Sequence, residues 1–176
     1  MNIIKSAIRT VPDYPHEGIM FRDITTLLSD PGAFTATIDA WIDRYHGLRI
    51  AHVVGIEARG FMFGATLAHA LGAGFIPIRK KGKLPHTTIS EDYNLEYGTD
   101  TVEIHKDALK SGERVLLVDD LIATGGTATA AISLLNRVGA KLVECCFVVE
   151  LPELEGRKKL EKLGYVVHTL VEFAGA

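Results

Sequence analysis

The stretch that decides the fold reads Arg114-Val-Leu-Leu-Val-Asp119-Asp120-Leu-Ile-Ala123-Thr124-Gly125-Gly126-Thr127. It begins as an apolar run typical of a buried strand, passes two adjacent acids and a glycine-rich turn, and continues with helical spacing. Glycines adopt positive φ easily and let amide groups converge, and the N-terminal end of a helix favours an anion. The stretch therefore predicts a strand, a turn and a helix, with an anion site in the turn.

The residue types around this turn indicate which anion it would bind. The turn is short and lacks the lysine of the Gly-x-x-x-x-Gly-Lys-Ser/Thr loop, so a monophosphate fits better than a longer phosphate chain. Thr124 and Thr127 add hydroxyl donors. Asp119 and Asp120 suit ribose hydroxyls, a bound Mg²⁺ or positive charge developing on a sugar ring. Either part alone would more often be purely structural, but in this order they favour a crevice for a sugar phosphate.

The rest of the chain alternates between strand-like apolar runs and segments of helical spacing, which is typical of an α/β fold. Asp30 and Pro31 are a good N-cap and first residue for one further helix. The predicted strands cover 50–56, 75–78, 114–118, 141–150 and 165–171, and the other predicted helices cover 60–71, 125–138 and 155–163. We expect one domain over 1–176, built on a mostly parallel twisted sheet flanked by helices, with the ligand crevice beyond the carboxyl ends of the strands. Residues 85–100 lack periodicity and predict a long, exposed, mobile loop.

Composition limits the classes of protein that fit. The chain has 176 residues, of which 47% are hydrophobic and 23% charged, and a formal net charge of -3. These values fit an ordinary globular protein and argue against electrostatic binding of nucleic acid over the whole surface. No apolar stretch of 18 residues occurs, so no membrane helix is expected. Cys145 and Cys146 are adjacent on a predicted strand and point to opposite faces, so we expect free thiols and a cytoplasmic protein.

The segment from Val115 to Thr127 resembles the phosphoribosyl-pyrophosphate signature of the type I phosphoribosyltransferases. The similarity is strongest to the adenine-using branch of that family and spans nearly the whole chain. It includes Phe21-Arg22-Asp23-Ile24, Gly55-Ile-Glu-Ala-Arg59-Gly60-Phe61, Arg79-Lys80-Lys81-Gly82-Lys83-Leu84-Pro85 and Leu95-Glu96-Tyr97-Gly98. The resemblance implies a small hood, a mobile loop, a homodimer, and Mg²⁺ bound through the substrate with no direct protein ligand. It also implies transfer of a phosphoribosyl group from 5-phosphoribosyl 1-pyrophosphate to N9 of adenine, which yields AMP and pyrophosphate.

The resemblance also implies roles for individual residues. Asp119 and Asp120 would face the ribose hydroxyls, and the ribose 5-phosphate would bind at Ala123, Thr124, Gly125, Gly126 and Thr127. Pyrophosphate would bind at Glu57, Ala58, Arg59, Arg79, Lys80 and Lys83, some of them reaching across a dimer interface. The lysine-rich run alone would read as a solvated charged surface. Adenine would be read by the main chain at Met20 and Arg22 and packed by Leu151, although Met20 and Leu151 could equally be plain core.

By the same resemblance, the catalytic residues are Glu96 and Arg59, and Arg59 would hold the departing pyrophosphate. Relatives that use 6-oxopurines usually carry an aspartate at the position of Ala123, and an alanine methyl cannot accept a proton. In adenine enzymes the matching proton acceptor is Glu96, and Tyr97 beside it closes over the ribosyl centre. The alternative is that Glu96 is an exposed acid with no role.

Two rival functions remain open from the sequence. The first is the same chemistry on hypoxanthine, guanine, xanthine or orotate, against which Ala123 and the segment around Arg22 argue. The second is a regulator that keeps the fold to sense a nucleotide and binds RNA or DNA. That rival predicts a basic face or an added DNA-binding segment, and the sequence has neither.

Overall fold

The computed structural model describes residues 2–94 and 98–175 of the chain. The described strands are β1 (Arg9–Pro12), β2 (Met20–Asp23), β3 (His52–Ile56), β4 (Gly74–Lys80), β5 (Thr88–Asn94), β6 (Thr99–His105), β7 (Arg114–Ile122), β8 (Lys141–Glu150) and β9 (Val167–Glu172). The helices are α1 (Ile3–Ala7), α2 (Thr25–Ser29), α3 (Pro31–Tyr45), α4 (Arg59–Leu71), α5 (Gly126–Arg137) and α6 (Gly156–Lys162), with a 3₁₀ turn over Pro152–Leu154.

The main sheet has seven strands in the order β5-β6-β4-β3-β7-β8-β9. Strands β4, β3, β7, β8 and β9 run parallel to one another, while β6 is antiparallel to β4 and β5 is antiparallel to β6. This confirms the predicted α/β class with a mostly parallel sheet. No helix in the described part of the chain is long and apolar enough to cross a membrane.

Helices cover both faces of the sheet. Side chains along a strand point alternately to its two faces, and in the central strands both sets are apolar, so each face needs a covering layer. In β7, Val115 and Leu117 pack with α5 on one face, whereas Leu116 and Val118 pack with α3 and α4 on the other. Trp41 of α3 is fully buried in this second cluster, so it belongs to the core. The sheet is therefore apolar on both faces, which accounts for the continuous apolar runs in its sequence.

The predicted helix after Asp30 is confirmed with its cap. Asp30 accepts a hydrogen bond from the amide of Ala33 at 2.9 Å, and Pro31 is the first helical residue. The other main-sheet elements lie within a few residues of their predicted ends. The largest difference is β7, which runs on through Asp119 and Asp120 to Ile122, so the two acids lie inside the strand.

The prediction of a loop over 85–100 was wrong for most of its length. Thr88–Asn94 forms β5 and pairs antiparallel with Thr99–His105. Thr88 lies opposite His105 and Asn94 opposite Thr99, so the two strands form a hairpin at the edge of the sheet. Polar residues dominate β5 because it is an edge strand with one solvent-facing side, and this composition concealed its periodicity.

The sequence also failed to indicate a small antiparallel sheet of β1 and β2 near the N-terminus. Arg22 of β2 ties this sheet to the far end of the chain. Its guanidinium donates to Thr10 Oγ1 at 2.6 Å and to the carbonyls of Ala174 and Gly175 at 2.7 Å each. These contacts hold the N-terminal segment against the C-terminal end of the main sheet.

A buried polar cluster lies near the start of β8. The carboxylate of Glu144 accepts two hydrogen bonds from Arg44, both at 2.6 Å, and one from the hydroxyl of Tyr45 at 2.5 Å. Burial alone would raise the pKa of Glu144, but the hydrogen bonds from Arg44 and Tyr45 outweigh it and hold the pKa below its ordinary value. Cys146 donates its thiol hydrogen to the Tyr45 oxygen at 3.0 Å, and both cysteines are buried and free. The cluster fastens α3 to β8.

Candidate active site

The candidate site lies where β7 extends beyond its neighbour β3. Pairing between the two strands ends at Gly55 opposite Val118, while β7 continues along β8 as far as Ile122 opposite Glu150. Strands β3 and β7 are neighbours in the middle of the sheet. After β3 the chain continues to β4 towards one edge of the sheet, and after β7 it continues to β8 towards the opposite edge. Such a reversal opens a crevice at the carboxyl ends of parallel strands, which is the usual ligand site of this architecture.

A cavity of about 210 Å³ lies in this crevice. All seven residues predicted to bind the sugar phosphate line it, and Arg59 lines it as well. These seven are Asp119, Asp120, Ala123, Thr124, Gly125, Gly126 and Thr127. The structure therefore brings the acids, the glycine-rich turn and one cation together around one space.

Asp119 and Asp120 carry the negative charge of this space. The Asp120 carboxylate is almost completely buried and forms an ion pair with Arg59, whose Nε lies 2.7 Å from Asp120 Oδ2. Burial raises the pKa of both carboxyls; the charge of Asp120 raises that of Asp119 further, whereas Arg59 partly opposes the shift at Asp120. A hydroxyl donor or a positive charge near Asp119 would favour its ionised form. The pair is thus suited to a ribose ring that develops positive charge.

The turn after β7 is suited to an anion. Gly125 has φ of 75° and is the N-cap of α5, so no capping side chain engages the first amides of that helix. A Cβ on Gly125 would lie 3.1 Å from the carbonyl oxygen of Gly156. The amide of Gly156 in turn donates to the carbonyl of Ala123 at 2.9 Å. The start of α6 therefore fixes the turn in a conformation that leaves helix amides facing the cavity.

A second cavity of about 380 Å³ adjoins the first. Glu57, Ala58, Arg59 and Lys80 line it together with the two acids, whereas Arg79 and Lys83 are not part of its lining. The peptide bond between Glu57 and Ala58 is cis. Four of the six residues predicted for pyrophosphate therefore share one space next to the sugar-phosphate turn.

Glu57 holds the basic segment in place. Its carboxylate accepts two hydrogen bonds from Arg79, at 3.1 and 3.2 Å, and one from the amide of Lys80 at 2.9 Å. Burial would raise the pKa of Glu57, but these donors lower it below its ordinary value. Arg79 also donates to the carbonyl of Lys83 at 3.1 Å. Arg79 is thus engaged in fixing the backbone, and Lys80 and Arg59 are the cations that reach the cavity.

The three residues predicted to bind adenine are less closely gathered. Met20 is partly exposed on β2, and the Arg22 side chain is buried in its contacts with Thr10 and the C-terminal carbonyls. Leu151 is buried just after β8, and its amide donates to the carbonyl of Ile122 at 3.1 Å. Met20, Arg22 and Leu151 are not among the described residues that line the first or the second cavity.

Glu96 and Tyr97 lie outside the described residues. Their described neighbour Asn94 lines a further cavity of about 420 Å³, together with Tyr93, Thr124 and Thr127. The hairpin and the sugar-phosphate turn therefore face one another across a continuous crevice.

Sequence reasoning missed two aromatic residues at this crevice. The guanidinium carbon of Arg59 lies 5.9 Å from the ring centre of Phe21, which places the N-terminal sheet at the rim of the site. Tyr93 of β5 lines the second and third cavities. Phe21 lies within the segment that carries the family resemblance and could have been noticed, whereas Tyr93 had no local signal because its strand was not predicted.

Comparisons with known proteins agree with this geometry. Residues 28–174 match the model of the phosphoribosyl transferase domain family. The chain is 62% identical over 175 residues to an adenine phosphoribosyltransferase of Methylobacterium nodulans, covering 99% of this chain and 97% of that protein. The crystal structure of the Rhodothermus marinus adenine phosphoribosyltransferase superposes with a TM-score of 0.90 at 52% identity, covering 97% and 96% of the two chains. The Saccharomyces cerevisiae enzyme, crystallised with an imino-altritol bisphosphate and adenine, gives a TM-score of 0.89 at 45% identity, covering 96% of each chain.

Proposed function

The chain belongs to the phosphoribosyl transferase domain family, among the adenine phosphoribosyltransferases, and we propose that its crevice transfers the phosphoribosyl group of 5-phosphoribosyl 1-pyrophosphate to N9 of adenine. The products are AMP and pyrophosphate, and the reaction salvages a purine base. The observation that carries this proposal is the single cavity lined by Asp119, Asp120, Arg59 and the turn from Ala123 to Thr127.

The sugar phosphate binds along the end of β7. The 5-phosphate accepts hydrogen bonds from the amides of residues 123–127 and from the hydroxyls of Thr124 and Thr127, at the positive end of α5. The ribose hydroxyls lie against Asp119 and Asp120. As the glycosidic bond lengthens, positive charge grows on the ribose ring, and the two carboxylates stabilise it electrostatically. The positive charge on the ribose ring lowers the raised pKa of each carboxyl and so favours the ionised form of both.

Pyrophosphate departs into the second cavity. Arg59 and Lys80 supply positive charge there, the cis peptide between Glu57 and Ala58 lies alongside, and Arg79 and Lys83 complete the basic segment. Charge-assisted hydrogen bonds of this kind are about twice as strong as neutral ones. Mg²⁺, held through the substrate with no direct protein ligand, would supply further positive charge for the departing pyrophosphate.

The base occupies the side of the ribose opposite the pyrophosphate. Because Nη1 and Nη2 of Arg22 donate to Thr10 and to the C-terminal carbonyls, the main chain at Met20 and Arg22 reads the adenine edge, while Leu151 packs on the purine face. Ala123 offers no proton acceptor, so Glu96 accepts the purine proton and Tyr97 closes over the ribosyl centre. Exclusion of water at that stage prevents hydrolysis of the ribosyl cation.

The enzyme works as a single domain over 1–176, as a homodimer in the cytoplasm, without nucleic-acid or membrane partners. The formal net charge of -3 supports the absence of a nucleic-acid partner. Adenine, 5-phosphoribosyl 1-pyrophosphate, AMP and pyrophosphate are the ligands that the crevice accommodates. Sedimentation of the purified protein tests the dimer.

A coupled assay for pyrophosphate tests the reaction. Adenine, hypoxanthine and guanine are supplied in parallel, each with 5-phosphoribosyl 1-pyrophosphate and Mg²⁺. We expect release of pyrophosphate with adenine, and a loss of about 10²- to 10³-fold in kcat for both Glu96→Ala and Asp120→Asn. Asp43→Asn, which changes an exposed acid on α3, is the matched control and should retain full activity. Faster turnover of hypoxanthine or guanine than of adenine would contradict the proposal.

A further inference from the structure

Lys80 is held by two residues of the hairpin for which the proposed reaction has no role. Its ammonium donates to the carboxylate of Asp100 and, at 3.1 Å, to the hydroxyl oxygen of Tyr93. The Tyr93 hydroxyl donates in turn to the same Asp100 carboxylate at 3.1 Å. We call these three residues the Lys80 cluster.

Strand register explains why the three side chains meet. Lys80 of β4 lies opposite Val102 of β6, and side chains two residues apart on a strand point to the same face. Asp100 is therefore the diagonal neighbour of Lys80 on that face, and Tyr93 of β5 lies directly opposite Asp100. The contact is thus a product of the sheet, independent of the residues at 95–97.

The Lys80 cluster lies at the pyrophosphate side of the crevice. Lys80 and Tyr93 both line the second cavity with Arg59 and the two acids. The backbone of Lys80 is anchored, because its amide donates to Glu57, whereas its side chain is 44% exposed and can turn. The carboxylate of Asp100 therefore pairs with the Lys80 ammonium, which is also the group that pyrophosphate would bind.

We propose that Asp100 competes with pyrophosphate for the ammonium of Lys80, and that it thereby sets how tightly the enzyme holds this product. The inference rests on the proposed function. In the unliganded crevice Asp100 neutralises Lys80, and pyrophosphate must displace the carboxylate before it can bind the ammonium. When pyrophosphate leaves, the carboxylate and the Tyr93 hydroxyl take the ammonium back. Asp100 is a positioning residue that acts through Lys80 and lowers product affinity.

The size of the effect follows from the exposure of the pair. Lys80 and Asp100 are 44% and 29% exposed, so the ion pair is a partly solvated one. Pairs of this kind change an equilibrium by about two- to fivefold. Removing the Asp100 charge should therefore strengthen pyrophosphate binding by about that factor. A purely structural role for Asp100 predicts no gain of affinity.

Calorimetric titration with inorganic pyrophosphate and Mg²⁺ tests this on the full chain. Asp100→Asn keeps the size and one acceptor oxygen of the side chain but removes its charge. Asp92→Asn is the matched control, because Asp92 lies on the same hairpin, bonds Thr101 on the other face and loses the same charge. We expect a pyrophosphate dissociation constant about two- to fivefold lower for Asp100→Asn and unchanged for Asp92→Asn. In a Lys80→Met background the effect of Asp100→Asn should vanish.

Three results would overturn the inference: unchanged pyrophosphate affinity in Asp100→Asn, weaker affinity, or a gain that persists in the Lys80→Met background. If the unaltered protein turns over adenine while any of these results is found, only the competition is wrong. If the unaltered protein releases no pyrophosphate with any purine, the proposed function fails first. Failure of the unaltered protein to bind pyrophosphate at all would overturn both.

Discussion

Replacing Gly60 with alanine should separate α4 from β7 and damage the site, although Gly60 itself is not predicted to bind a substrate. Gly60 is the second residue of α4. A Cβ there would lie 2.7 Å from the carbonyl oxygen of Val118 and 3.2 Å from the Cα of Asp119, both backbone atoms of the central strand. Ordinary contact begins at 3.4 Å, so the two elements must part by about 0.7 Å, the difference between 3.4 and 2.7 Å.

This displacement is large enough to weaken the ion pair of the site. Arg59 precedes Gly60, and its Nε lies 2.7 Å from Asp120 Oδ2, so a 0.7 Å shift would lengthen the contact to about 3.4 Å, beyond the usual hydrogen-bond range. Overpacking costs about 1–3 kcal/mol, and the helical preference of alanine over glycine returns at most about 1 kcal/mol. We expect the free energy of unfolding to fall by about 1–2 kcal/mol and kcat/KM to fall about 10²-fold.

Urea denaturation and the coupled pyrophosphate assay measure the two effects. Gly32→Ala is the control, because Gly32 is likewise the second residue of a helix, and its Cβ would meet only the Asp30 side chain at 3.3 Å and the Ile3 side chain at 3.9 Å. Gly32→Ala should be neutral or slightly stabilising, with full activity. If Gly60→Ala matched Gly32→Ala in both stability and turnover, the close approach of α4 to β7 would have no part in shaping the site.

Three further predictions follow from the same structure. Glu144→Gln should lower the free energy of unfolding at pH 7 by about 2 kcal/mol. This is a low value for the loss of a buried charged hydrogen-bond partner, because Arg44 is 44% exposed and stays hydrated. Folding lowers the pKa of Glu144 below 4.5, so the contribution of its charge to stability is complete above that pH and is lost as pH falls through the folded pKa. The free energies of unfolding of the two proteins, measured with urea, should therefore converge below pH 4.5. A difference between them that stays constant with pH would contradict this. Arg59→Ala should leave Asp120 buried without its partner and lower kcat about 10²- to 10³-fold in the pyrophosphate assay; retention of activity would remove Arg59 from the site. Gly125→Ala, at φ of 75° and 3.1 Å from a carbonyl oxygen, should raise the KM for 5-phosphoribosyl 1-pyrophosphate at least tenfold, with an unchanged KM speaking against the turn as the phosphate site.

The central part of the fold could be predicted because its determinants are local. Strand β8 consists mainly of apolar residues and is buried on both faces over its second half, and it begins and ends where the sequence indicated. The helix after Asp30 has its cap and its proline within two residues of each other. The site segment was equally readable, since Asp119, Asp120 and the glycines follow one another along the chain. Each of these features depends on neighbours in sequence.

The hairpin and the N-terminal sheet could not be predicted because distant residues stabilise them. In β5 only Tyr93 is buried, and the strand exists because β6 supplies its partner along seven residue pairs. The β2 strand has four residues, and Arg22 within it bonds carbonyls more than 150 positions away. Propensity along a short polar segment carries no information about such partners. The Lys80 cluster was hidden for the same reason, since it needs the register of three strands.

The placement of the acids shows how the sheet and the chemistry depend on each other. Two adjacent carboxylates in the centre of a sheet would normally be excluded, because burial and mutual repulsion disfavour their charged forms. They are tolerated here because β7 extends past β3, which frees one side of the strand for Arg59, and because Gly60 lacks the Cβ that would strike Asp119. Asp120 thus has its cation within the protein, whereas the Asp119 carboxylate accepts one hydrogen bond, from the amide of Asp120 at 2.9 Å, and forms no ion pair within the described residues. The imbalance favours a ligand that brings hydroxyl donors and positive charge to Asp119, and a ribosyl group that loses pyrophosphate supplies both.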